Sequence, residues 1–67
     1  MAPVEQLAMR LKVLRERRGL SQAALAAKAG ISREYLARLE TARQDPRLST
    51  LEKLARALGV SVATLLR

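Results

Sequence analysis

The chain has no cysteine, no histidine, no phenylalanine and no tryptophan, and a single tyrosine. Without thiols there is neither a disulfide framework nor thiolate chemistry, and without imidazole as well the usual soft and borderline metal ligands are missing. The same two absences remove the customary general base and thiol nucleophile, so the sequence reads as a non-enzyme that uses no cofactor and no metal. Scarce aromatic rings disfavour single-stranded RNA, whose bases are read by stacking. No apolar run approaches the ~18 residues that cross a bilayer. The N-terminal MAPVEQLAMRLK lacks the apolar centre of a signal peptide, so a soluble, cytoplasmic protein is expected.

Acidic residues are also few. Thirteen lysines and arginines against six acids leave a formal charge of +7 on 67 residues. Such an excess answers a polyanion, either nucleic acid or an anionic membrane, unless it merely keeps the surface solvated. The cations are spread over several segments rather than gathered on one amphipathic face, which makes the membrane the weaker choice. A chain this short makes one domain, 1–67, and buries only about 60% of its unfolded surface, so its core has to be simple.

What is present is alanine, leucine and arginine, with apolar positions at helical spacing, which predicts an all-α fold of five helices. The first starts near Pro3 and carries Leu7, Leu11 and Leu14 as a stripe up to Arg17-Arg18, where Gly19 stops it. Ser21 is a suitable N-cap for a second helix to about Lys28, ended by Gly30, and Ser32 for a third to Glu40 or Thr41. The stretch TARQDPR, residues 41–47, reads as a loop because Asp45-Pro46 disfavours helix. A fourth helix begins between Leu48 and Thr50, where Ser49 and Glu52 suit a capping box; it buries Leu51, Leu54, Ala55 and Leu58 and stops at Gly59. Ser61 caps a last short helix from Val62 to about Leu66.

At about 100° per residue, the third helix places Leu36 and Leu39 on one side with Tyr35 at their edge, and Arg33, Glu34, Ala37, Arg38 and Thr41 on the other. That outer face suits the DNA major groove: arginine bonds guanine O6 and N7, glutamate accepts from cytosine N4, and alanine meets a thymine methyl. The bland alternative is a wet helix face with a Glu34–Arg38 pair. The preceding helix weighs against it, since Ala23, Ala24, Ala26, Ala27 and Ala29 let another helix cross closely, with Gly30 in the turn, and project outward.

The pattern L-S-Q-x-x-L-A-x-x-A-G-I-S-x-x-Y-L-x-R-L-E, followed by a proline and TLEKLARALGVS, resembles the Cro/C1-type helix-turn-helix of the lambda-repressor-like, or XRE, family. The resemblance covers about Leu7 to Leu66, with the helix-turn-helix at about 21–41. It implies a five-helix DNA-binding domain whose third helix reads a pseudo-palindromic double-stranded operator as a homodimer. By motif position Arg33, Glu34, Ala37 and Arg38 face the bases. Gln22 reaches a phosphate and braces Arg33, beside Ser21 at a helix N-terminus whose free N–H groups suit an anion. Thr41, Arg43 and Arg47 fall to phosphates, and Glu40 to a partly buried ion pair with Arg15. Tyr35 has two readings, a hydroxyl given to a phosphate or packing alone.

Two departures stand out. Ala42 occupies a place where that family commonly has glycine, so either a left-handed turn there is strained or the helix ends differently. The last helix lacks the acids often found after its serine, and its Val60, Val62, Leu65 and Leu66 are candidates for a subunit interface, with packing on their own core as the default. The leading expectation is a stand-alone transcription regulator with no small-molecule effector. The alternative is a protein-interaction module such as an antitoxin, with a toxin or a polymerase as partner.

Overall fold

Three serines each close a helix start in this chain. The computed structural model describes residues 4–67, so the part expected of Pro3 lies outside the described residues. The helices are α1 (Val4–Arg17), α2 (Gln22–Ala29), α3 (Arg33–Glu40), α4 (Leu48–Leu58) and α5 (Val62–Leu66), with no strand among the described residues. Ser21, Ser32 and Ser61 accept the N–H groups of Ala24, Tyr35 and Thr64 at 3.0, 3.0 and 3.1 Å. Each such cap is worth about 1 kcal/mol relative to alanine.

Helix α4 starts differently from the expected capping box. Its N-cap is Arg47, extended at φ −74° and ψ 158°, with no side-chain cap bond. Helical geometry begins at once at Leu48, which lets the Leu51 N–H bond the Arg47 carbonyl at 3.0 Å. Ser49 therefore lies inside the first turn, where the N–H of Leu51, which an N-cap at this position would serve, is already bonded to the backbone.

The end of α3 settles the alternatives raised by Ala42. The chain does take the left-handed turn, with Ala42 at φ 60°. Arg43 N–H bonds the Arg38 carbonyl at 2.9 Å and closes the helix. A left-handed L-residue costs about 1–2 kcal/mol. Part of that is recovered in Ala42→Gly, because glycine loses more entropy on folding. We expect this change to stabilise the domain by about 0.5–1 kcal/mol, seen as a higher urea midpoint at constant slope. A lower midpoint instead would mean that the Ala42 methyl makes contacts worth more than the strain.

Leu7, Leu11, Leu25, Leu36, Leu39, Leu51, Leu54, Leu58 and Leu65 meet in one core with Ala26, Ala29 and Ala55. Helix α2 lies against α3 and α4, α1 against α3 and α5, and α4 against α5. On α1 the buried face is Leu7, Ala8, Leu11 and Arg15, while Leu14 is only half-buried, so the stripe is rotated slightly from the expected one. Arg18, just beyond the end of α1, donates from Nε to the Leu58 carbonyl at 2.9 Å and ties the two helix C-termini together.

The apolar end of the chain turns inward. Leu65 is fully buried, which removes it from any subunit interface, because a side chain that fills its own core has no surface left to present. Val60, Val62 and Leu66 are half-buried and packed on that core. Among the described residues the large apolar side chains that stay exposed are Met9, Val13 and Leu48.

Candidate nucleic-acid interface

Helices α2 and α3 form the helix-turn-helix, joined through Gly30, which adopts φ 74° and lets Ile31 N–H bond the Ala26 carbonyl at 3.0 Å. The next two residues re-extend the chain to Ser32, and α3 leaves with Leu36 and Leu39 buried. Anchoring these two leucines leaves Arg33, Glu34, Arg38 and Thr41 exposed and Ala37 half-buried on the outer face. Arg33, Glu34, Ala37 and Arg38 thus share the surface that the helical wheel assigns them.

A buried polar network sets the direction of α3. Glu40, with a side chain only 2% exposed, accepts from Arg15 Nε at 2.7 Å and Nη2 at 3.1 Å. Gln22 Nε2 donates to the same carboxylate at 3.1 Å, and Arg15 Nη1 donates to the Leu20 carbonyl at 2.8 Å. The carboxylate thereby joins α1, α2 and α3, and Arg15 adds the α1–α2 turn. Among the described residues no buried side-chain polar atom lacks a partner. The hydrogen bonds that Arg15 donates to Glu40 raise the Arg15 pKa above its ordinary value, against the opposing effect of burial.

This network alters what was expected of Gln22. Its amide grips Glu40 at the far end of α3, and no hydrogen bond to Arg33 at the near end is present among the described residues. The closely crossing helices bring the start of α2 beside the end of α3, where the Gln22 amide donor meets the buried carboxylate; bracing Arg33, whose guanidinium only donates, would call on the Gln22 carbonyl oxygen instead. Thr41 also departs from its phosphate role: its hydroxyl donates back to the carbonyls of Ala37, at 3.0 Å, and Arg38, at 3.2 Å. A phosphate needs a donor, and that proton is already engaged. Ser21 differs, because its oxygen accepts from Ala24 while its own proton stays available.

The Glu34–Arg38 pair of the bland alternative does not form; Arg15–Glu40 is the one side-chain ion pair among the described residues. Arg38 instead places its guanidinium carbon 5.8 Å from the centre of the half-buried Tyr35 ring. Helical spacing alone allows both partners, and no sequence signal chose between them. Arg43 and Arg47 are exposed on the segment that follows α3, on either side of the half-buried Pro46 and Gln44. No helix among the described residues is long and apolar enough to cross a membrane.

Residues 11–65 match the HTH_3 family model, described as helix-turn-helix. The chain is 50% identical over 56 residues to the immunity repressor protein of Bacillus phage phi105, covering 84% of this chain and 39% of that protein. It spans between 39% and 62% of the length of the curated relatives it matches. Among solved structures it resembles the restriction-modification controller protein C.AhdI from Aeromonas hydrophila, with a TM-score of 0.91 and 34% identity over 92% of this chain and 94% of that one. It also resembles the master regulator for biofilm formation SinR in complex with DNA, with a TM-score of 0.88 and 40% identity over 91% of this chain and 98% of that one.

Proposed function

The chain belongs to the HTH_3 helix-turn-helix family, and from that premise we propose that it is a sequence-specific transcription regulator that lays α3 in the major groove of double-stranded DNA. The observation that carries this reading is the outer face of α3, where Arg33, Glu34, Ala37 and Arg38 stand clear of a helix held by the Arg15–Glu40–Gln22 network. The net charge of +7 supplies the attraction to phosphate. SinR, solved with DNA, is a relative of matching fold and 40% identity, which supports the same use of this surface.

Base reading falls to Arg33, Glu34, Ala37 and Arg38. Phosphates fall to Ser21, whose hydroxyl proton is free, to the second amide proton of Gln22, and to Arg43 and Arg47. Two copies bind an inverted repeat with half-sites about 10–10.5 bp apart. They meet through the half-buried Val60, Val62 and Leu66, whose outer surfaces remain uncovered. The domain works in the cytoplasm and carries out no catalysis.

Selection from a random duplex pool at near-physiological salt tests this. An inverted repeat bound at least ~10³-fold more tightly than a scrambled duplex is the expected result. No enrichment, with binding that vanishes as salt rises, means phosphate attraction alone and sends the search to a protein partner. On the selected duplex, Arg38→Ala is expected to cost about 1–3 kcal/mol and relax preference at one base pair, whereas Arg47→Ala weakens every sequence alike and flattens the salt dependence by about one charge. Equal losses on all sequences for Arg38→Ala would remove it from the reading set.

A further inference from the structure

We propose that Tyr35 is a positioning residue for base reading: its ring holds the Arg38 guanidinium away from Glu34, so that both side chains reach the groove uncommitted. The inference rests on the DNA-reading role proposed for α3. Arg38 lies one helical turn beyond both residues, four positions after Glu34 and three after Tyr35. Both spacings bring side chains into contact on a helix. An exposed arginine with an exposed carboxylate at the favourable i, i+4 spacing can pair with it. Here it does not: no Glu34–Arg38 ion pair is present, and the guanidinium stands over the ring at 5.8 Å from its centre, within cation–π range.

The ring is a firm platform. Tyr35 is half-buried with its side chain packed against the core, and the Ser32 hydroxyl accepts its backbone N–H at 3.0 Å, so its backbone and ring both have contacts other than Arg38. A Glu34–Arg38 pair would engage the acceptor meant for cytosine with the donor meant for guanine, and both would have to part before meeting DNA. Stacking on an aromatic face leaves the guanidinium's five donors free, since the ring attracts the cation without accepting its N–H bonds. The tyrosine hydroxyl plays no part in this, and phenylalanine serves as well.

The test compares the full chain with Tyr35→Phe, Tyr35→Leu, Glu34→Gln, Arg38→Ala, the Tyr35→Leu/Arg38→Ala double variant and the Tyr35→Leu/Glu34→Gln double variant. Each is titrated with the selected duplex and with that duplex changed at the base pair whose preference Arg38→Ala relaxes. Tyr35→Leu is expected to reduce discrimination at that pair about 2–5-fold and to have no such effect once Arg38 is gone. Tyr35→Phe leaves discrimination intact, and in a Glu34→Gln background, which has its own loss at the pair Glu34 reads, adding Tyr35→Leu causes no further loss at the Arg38 pair. In the free protein, the Arg38 Nε proton resonance, shifted by the ring current, returns to its ordinary position in Tyr35→Leu. If Tyr35→Leu does not fold, Tyr35→Met keeps the apolar bulk without a ring face and replaces it.

Equal loss on all duplexes in Tyr35→Phe overturns the proposal in favour of a hydroxyl–phosphate contact. The same loss from Tyr35→Leu with and without Arg38 overturns it in favour of a packing role. Should Arg38→Ala change no base preference, the reading role of α3 at this residue fails and Tyr35 loses its purpose with it. If Arg38→Ala does change one and Tyr35→Leu does not, only the Tyr35 role fails.

Discussion

Replacing Glu40 by alanine is expected to destabilise the domain by about 3–5 kcal/mol, because it strands a buried arginine without its counter-charge. The Arg15 side chain is 11% exposed and keeps only the Leu20 carbonyl as a partner once the carboxylate is gone. Gln22 loses its acceptor too. A domain of 67 residues has about 3–10 kcal/mol of stability in all. The variant should therefore be marginal at room temperature, with a urea midpoint moved down by most of its value. A loss below about 1 kcal/mol would show that water reaches the site and screens the pair.

A second comparison separates the charge from the space it fills. Changing Arg15 to methionine together with Glu40 to leucine removes both charges at once, and apolar replacements of a buried pair are often close to neutral. We expect the double variant to recover most of the stability lost by Glu40→Ala. The pH sign is simple: the folded-state Arg15 pKa is raised, so its contribution is complete below the unfolded value and disappears only as pH climbs beyond the arginine range. Its charge thus supports the fold throughout the neutral range.

Leu36→Ala is expected to have the other large effect, about 2–5 kcal/mol. Leu36 is completely buried and is the apolar anchor of α3, so its truncation leaves a void at the seat of the reading helix. The size depends on whether α1 and α2 can close around the gap, and closure would reorient the outer face as well. Chemical denaturation measures the first consequence and affinity for the selected duplex the second. Leu48→Ala is the control: that side chain is 64% exposed, and its loss should stay within ~0.5 kcal/mol. If Leu36→Ala were equally mild, the core around α3 would have to be plastic rather than closely packed.

Local chemistry carried most of the fold into the sequence. Ser21, Ser32 and Ser61 each stand just before an apolar-periodic run, and their capping needs only neighbouring residues. The helix face on which Leu36 and Leu39 lie follows from spacing alone. Ser49 was ambiguous because Pro46 lets the helix open at either of two places, and a backbone bond to Arg47 decided it. Leu65 was not legible, since five residues of mostly apolar helix show no clear inner face until the angle after Gly59 is known. The partners of Gln22 and Arg38 depend on how helices cross and on which of two neighbours a flexible chain chooses, and neither is a property of spacing. The Arg15–Glu40 contact, 25 residues apart, came from the family resemblance rather than from any periodicity.

The separation of anchor from reader also bears on how such a protein changes over generations. Arg33, Glu34 and Arg38 are exposed, while the leucines and the ion pair that aim α3 lie beneath them. Substitutions at these three positions leave the core untouched and should move stability by only about 0.5 kcal/mol. Under the base-reading role proposed for these residues, the lineage can acquire a new operator by one or two surface changes without first acquiring a stabilising one. Ala37 marks the boundary of that freedom: it is half-buried, so a larger residue there must fit both the scaffold and the DNA. New specificities should accumulate around alanine at this position rather than through it.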